Sequence, residues 1–175
     1  MSSHLIPAVN SNDHIMGDHK AAVELLEYGD YQCPYCGQAY PIIKAVQKKL
    51  KAGLRFVFRN FPLSEVHPYA FNAAVAAEAA ALQGKFWEMH DVIYEHQSRL
   101  TPEALFAYAK KIGLELDRFS EDIQKESLSE RVESDFESGV RSGVNGTPGL
   151  FINGLKYNGP WGEEDLLEQL RSRLK

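Results

Sequence analysis

The chain has 175 residues, 44% of them hydrophobic and 25% charged, with a formal net charge of −5. That is enough for one domain, or one domain carrying an insertion, around a real core. The acidic balance gives no electrostatic footprint for nucleic acid or an anionic membrane, two cysteines are too few for a disulfide-stabilised scaffold, and no run is long and apolar enough to span a bilayer.

Residues 1–20 show neither the cationic start nor the apolar run of an export signal. The expected compartment is cytoplasmic, or periplasmic if a signal has been removed. Residues 1–18 mix Ser, Asn, Asp, His and Pro7 and read as an extended arm, with a short strand at Ala8-Val9. Val23–Tyr28 reads as a buried strand. Beyond Cys33-Pro34-Tyr35-Cys36, the residues Ala39, Ile42, Ile43, Val46 and Leu50 recur at helical spacing. The spacing predicts a helix with Cys33 at its N-cap and Pro34 at its first position, where proline is well tolerated; Pro41 should kink it. Gly53 stops this helix, and Leu54–Arg59 reads as a second buried strand. Strand, helix and strand make a right-handed β-α-β unit with parallel strands.

Residues 31–64 carry six basic side chains (Lys44, Lys48, Lys49, Lys51, Arg55, Arg59) and no acid. A positive surface near the thiols is one reading; cations complementing the end of the helix dipole is the other. From Asn60 to Gly143 no strand pattern appears. Helices are predicted over 68–82, 85–96, 102–112 (capped by Thr101 with Pro102 behind it), 116–124 and 128–140. The last stretch, Glu115–Glu137, has nine acids against three bases and reads as a solvated face. About eighty residues of helix is far more than the dozen or so a β-α-β crossover needs. The fold class is therefore α/β with an inserted all-helical subdomain, residues 63–142, in a platform made of 1–62 and 143–175. Gly149–Ile152 and Leu155–Tyr157 form a hairpin across Asn153-Gly154, the strongest two-residue turn signal. Glu163–Leu174 is a final amphipathic helix.

The chemistry concentrates at the first strand–helix junction, which holds both cysteines. A helix N-terminus favours an anion, and cysteines so placed have pKa values of roughly 3.5–7.5. Cys33 is expected to be the exposed nucleophile and Cys36, one turn inside, the sheltered thiol that resolves a mixed disulfide. A zinc site needs about four ligands; there is no second cysteine pair, and the six histidines show no ligand spacing, so no metal is expected. Glu27 on the buried strand is expected to have a raised pKa. Two readings of it stand: a structural partner of a lysine such as Lys44, or, as resemblance to a known family implies, a proton shuttle for Cys36. His67, before Pro68, reads as a helix-entry or core histidine, with a substrate-side role as the alternative. Trp87 and Trp161 read as packing aromatics.

Taken jointly, Glu27…Cys33-Pro34-Tyr35-Cys36, Phe61-Pro62-Leu63…His67-Pro68, Gly84-Lys85-Phe86-Trp87 and Gly143–Pro148 before a hairpin resemble the DsbA-like thiol–disulfide oxidoreductases, a thioredoxin fold with a helical insertion. The resemblance covers about Val23 to Leu170. It implies exchange with protein or peptide thiols and disulfides through a mixed disulfide at Cys33, by a monomer with an unidentified redox partner. It implies no cofactor beyond the Cys33–Cys36 disulfide, with glutathione as one candidate electron donor. Thr147-Pro148 matches the family's cis-proline dipeptide, whose backbone would pair with an extended substrate; Pro34 and Tyr35 would join it in substrate binding. The Pro-Tyr dipeptide recurs in glutaredoxins, where the well-known periplasmic oxidases carry Pro-His. It implies a reduction potential nearer the reducing members, about −180 to −270 mV. Two other functions fit the same scaffold: a peptide-binding adaptor or holdase without turnover, and a glutathione-dependent transferase or isomerase.

Overall fold

The computed structural model describes residues 3–174. These divide into two compact units: the chain up to Gly29 with Gln38–Arg59 and the chain from Glu137, and a second unit of Asp30–Gly37 with Asn60–Phe136. The cysteine segment, residues 30–37, groups with the helical unit, because its polar groups are hydrogen-bonded to Leu63, His67, Tyr69 and Gln97.

The first unit is built on a five-stranded sheet in the order β1-β3-β2-β4-β5, where β1 is His14–Met16, β2 Val23–Gly29, β3 Leu54–Asn60, β4 Gly149–Ile152 and β5 Leu155–Tyr157. Strand β2 is buried along its whole length, as a central strand covered on both faces must be. Strand β4 runs antiparallel to it, with Glu27 opposite Leu150 and Tyr28 opposite Gly149. The β4–β5 turn places Asn153 at φ 48° and Gly154 at φ 76°, the left-handed pair a two-residue hairpin demands. The strand expected at Ala8-Val9 is instead β1, antiparallel to β3 with Ile15 opposite Val57. The arm before β1 is fixed by Arg59, whose guanidinium donates to Asp13 at 2.7 and 2.9 Å and to the carbonyls of Pro7 and Ala8 at 3.0 and 3.3 Å. Burial works against that charge, but the Asp13 and Tyr28 hydrogen bonds outweigh it and hold the Arg59 pKa above its ordinary value.

Helix α1, Pro34–Leu50, continues through Pro41 and ends on Lys48 and Lys49. Of the six basic residues singled out in sequence, Arg55 pairs with Glu24 at 2.6 Å, Arg59 with Asp13 and Lys49 with Glu163. These cations serve the fold. The final helix, at Glu163–Arg171, stops a little short of the expected end.

The second unit holds helices α2 (Ala70–Ala81), α3 (Phe86–Glu95), α4 (Pro102–Lys111), α5 (Leu116–Asp122) and most of α6 (Glu126–Arg141). Helix α2 is alanine-rich because it is buried nearly all round; small side chains let α3 and α4 pack against it. Thr101 caps α4, accepting from Ala104 N at 3.3 Å. Seven of the nine acids in 115–137 are exposed, as a solvated face requires, but Asp122 and Asp135 are buried. Asp122 is held by Lys125 at 2.5 Å. Burial pushes the Asp135 pKa up, against opposing pulls from Arg131 and Asn60. Among the described residues no helix is long and apolar enough to cross a membrane.

Candidate active site

Strand β2 delivers the chain to Asp30, and the next seven residues form the site. The Asp30 carboxylate, with none of its side chain exposed, folds back on the segment that follows: Oδ1 accepts from Gln32 N at 2.7 Å and Cys33 N at 3.1 Å. This is the local turn a short acid offers its own backbone. It stops the strand and starts the helix. Cys33 then acts as the cap residue of α1, its carbonyl accepting from Gly37 N at 3.0 Å.

The opposite side of the loop is held by Gln97, whose Nε2 donates to Tyr31 O at 3.0 Å and Cys33 O at 2.7 Å. Tyr31 is buried, its hydroxyl 3.0 Å from His90 Nδ1 and its ring 4.9 Å from that of Tyr94. Tyr69 N donates to Gln32 Oε1 at 2.7 Å. The segment therefore sits in a fixed frame supplied by Leu63–Tyr69, α3 and the turn after it.

Both sulfurs are thiols in this structure. Cys36 is fully buried, and its Sγ accepts from Asp30 N at 3.5 Å. Cys33 was expected to be exposed; it is only 4% exposed. Its backbone is held on both sides, the carbonyl by Gln97 Nε2 and the amide by Asp30 Oδ1. The exposed part of the motif is Pro34 and Tyr35, the latter 61% exposed. A cleft of about 500 Å³ opens beside Pro34, lined by Gln32, Tyr69, Gln97, Leu100 and Thr101 among others.

Cys33, Pro34, Tyr35 and Cys36 thus share one turn of the helical unit. Glu27, Thr147 and Pro148 belong to the sheet unit. There Glu27 is 2% exposed on β2, and Thr147-Pro148, joined by a cis peptide bond, immediately precedes β4. His67 lies in the turn before α2 and meets Asp30 Oδ2 through Nδ1 at 2.7 Å. Among the residues of the site that were not singled out in sequence are Asp30, Gln97 and Tyr94, whose hydroxyl donates to Asp30 O at 3.5 Å. An acid three residues before a predicted N-cap is the one signal that could have found Asp30. Among the described residues no group of three His, Cys, Asp or Glu side chains converges as a metal site.

A family model described as Thioredoxin matches residues 9–172. The chain is 43% identical over 162 residues to a protein of Salinispora tropica named Na(+)/H(+) antiporter NhaA 3, covering 93% of this chain and 25% of that one. It spans about a quarter of the length of the curated relatives it matches. In fold it is similar to the oxidised form of BdbD from Bacillus subtilis, with a TM-score of 0.86 at 23% identity over 99% of this chain and 98% of that one. It is also similar to a thioredoxin-like oxidoreductase from Silicibacter pomeroyi, with a TM-score of 0.83 at 22% identity over 94% and 92%.

Proposed function

Because the chain belongs to the thioredoxin family, we propose that it is a thiol–disulfide oxidoreductase acting on protein or peptide substrates through a mixed disulfide at Cys33. The observation that carries the reading is the placement of both thiols in the first turn of a 17-residue helix, with Cys33 as its cap residue. The unpartnered amides and positive dipole end of a helix N-terminus favour thiolate over thiol.

In the reducing direction, the Cys33 thiolate attacks one sulfur of a substrate disulfide, forming a mixed disulfide and releasing the other sulfur as a thiolate. Cys36, deprotonated, then attacks Cys33 Sγ; the Cys33–Cys36 disulfide forms and the second substrate sulfur leaves. Two electrons pass from the dithiol to the substrate. The oxidising direction is the same sequence reversed. Asp30 N, donating to Cys36 Sγ, supports the charge that develops on that sulfur when it leaves or attacks. Exposed Pro34 and Tyr35 and the cleft beside Pro34 would receive the substrate chain.

Insulin reduction by wild type, Cys33→Ser and Cys36→Ser tests this. Cys33→Ser should abolish turnover, and Cys36→Ser should accumulate a mixed disulfide visible by mass. Equal rates for wild type and Cys33→Ser would overturn the reading. One observation favours a second reading, a peptide-binding module without turnover: the low exposure of Cys33. That module would bind a reduced, unfolded peptide equally well with both cysteines replaced by serine and show no thiol-dependent turnover.

A further inference from the structure

The Asp30 carboxylate is the most heavily coordinated acid near the thiols. Oδ1 accepts from Gln32 N and Cys33 N, and Oδ2 accepts from Leu63 N at 2.8 Å and His67 Nδ1 at 2.7 Å. Four donors match the four lone-pair sites of an ionised carboxylate; a protonated acid would present a fourth donor with another donor. A buried carboxylate needs a counter-charge. No lysine or arginine among the described residues reaches Asp30, and its one ion-pair partner is His67. That imidazole is 19% exposed, and its Nε2 has no hydrogen-bond partner among the described residues.

We propose that Asp30 and His67 are a positioning pair that sets the charge beside Cys33 and Cys36, and thereby the thiolate population at Cys33. The pair has two states. With a neutral imidazole, Nδ1–H donates to Asp30 and the carboxylate leaves one net negative charge next to the thiols. With a proton taken from solvent onto Nε2, the pair is neutral. A net negative neighbour disfavours a thiolate and a neutral one does not. An imidazole is the side chain whose charge can change nearest neutrality. Among the described residues it contacts the two thiol residues and the Tyr94 hydroxyl, which donates to Asp30 O from α3, and the turn that carries His67 also holds exposed Glu65. Asp30 touches both thiol residues, through its carboxylate at Cys33 N and its own amide at Cys36 Sγ.

The proposal rests on the thiol-exchange reading for its use, but not for its test. Alkylation of the reduced protein by iodoacetamide is followed from pH 5 to 9, with mass spectrometry placing the label at Cys33. His67→Gln, which keeps a donor to Asp30 but takes up no proton, should react about tenfold more slowly than wild type at pH 5.5 and equally above pH 8.5. His67→Lys, charged throughout, should match wild type at pH 5.5, exceed it near pH 7 and converge with it above pH 8.5, where the thiolate is fully formed. Parallel alkylation profiles for wild type and His67→Gln, with unfolding midpoints unchanged, overturn the proposal. A protein inert toward insulin whose Cys33 alkylation still follows His67 would defeat the oxidoreductase reading and leave this one standing; the reverse pattern would defeat this one alone.

Discussion

Gly37 and Gln97 give a perturbation whose sign depends on the partner. Alanine in place of a helical glycine normally stabilises by up to about 1 kcal/mol. At Gly37 the added methyl would land on Gln97 Oε1 and lie 2.9 Å from Gln97 Cδ. That amide is the end of a flexible side chain, so it swings aside and the backbone stays where it is. Swinging it breaks the bonds from Nε2 to Tyr31 O and Cys33 O, each worth about 0.5–1.5 kcal/mol. Taking about 1 kcal/mol for each, the loss is about 2 kcal/mol; the helix gain offsets about half, and Gly37→Ala should destabilise by about 1 kcal/mol.

Gln97→Ala loses the same two bonds, about 2 kcal/mol, and also clears the space. On that background Gly37→Ala has nothing to displace, and its effect should invert to a stabilisation of up to about 1 kcal/mol. The double-mutant cycle should therefore show a coupling of about 2 kcal/mol, well beyond the few tenths expected of independent sites. Urea unfolding of the four proteins, followed by circular dichroism, measures it. Additive effects, or a Gly37→Ala change of the same sign on both backgrounds, would refute the claim that Gln97 clamps the first turn of the helix.

Two further perturbations probe the frame around the site. Arg59→Met removes one side of a pair whose side chains are 3% and 4% exposed, and breaking a buried pair costs about 3–5 kcal/mol; a urea-measured loss below about 1 kcal/mol would show that the arm does not depend on it. Asp135 has a folded-state pKa raised mainly by burial from its ordinary 3.8. A carboxyl raised in this way contributes stability that is full below its unfolded value and lost as pH climbs through its folded value. Asp135→Asn cannot titrate, so the stability of wild type relative to this variant should fall with rising pH across the interval above the ordinary 3.8. A difference that stays constant across that interval would mean the buried carboxyl titrates as it does in the unfolded chain.

What the sequence disclosed follows the range of the forces involved. The run Val23–Tyr28, proline at the first position of α1, Thr101-Pro102 and Asn153-Gly154 are local signals, and each produced its element within a few residues. Strand β1 has no such signal. It is three residues long, and its arm is placed by Arg59, some fifty residues away, so a local reading put the strand at Ala8-Val9. The thiols were legible because two cysteines at that spacing before a helix leave few alternatives. The burial of Cys36 was legible too, from its place one turn inside the helix; the low exposure of Cys33 was not, because its backbone is held by Gln97, more than sixty residues on, with no pattern tying the two. Asp30 fails in the same way: half of its donors lie more than thirty residues on.

This division of labour bears on what tunes the reaction. A reading confined to the motif assigns the tuning to the two residues between the cysteines, and takes Pro-Tyr in place of Pro-His as the deciding difference. Tyr35 is 61% exposed, so much of its side chain faces water, where a charge is screened and weakly felt. Asp30 is buried, touches both thiol residues and has a titratable counter-charge. A charge in low dielectric acts on a neighbour more strongly than one in water at the same distance. The stronger control on the thiolate therefore belongs to an acid ahead of the motif and a histidine from the inserted helical segment. Two chains with the same Cys-Pro-Tyr-Cys but different residues at these two positions should differ in potential by more than two chains that differ only at Tyr35.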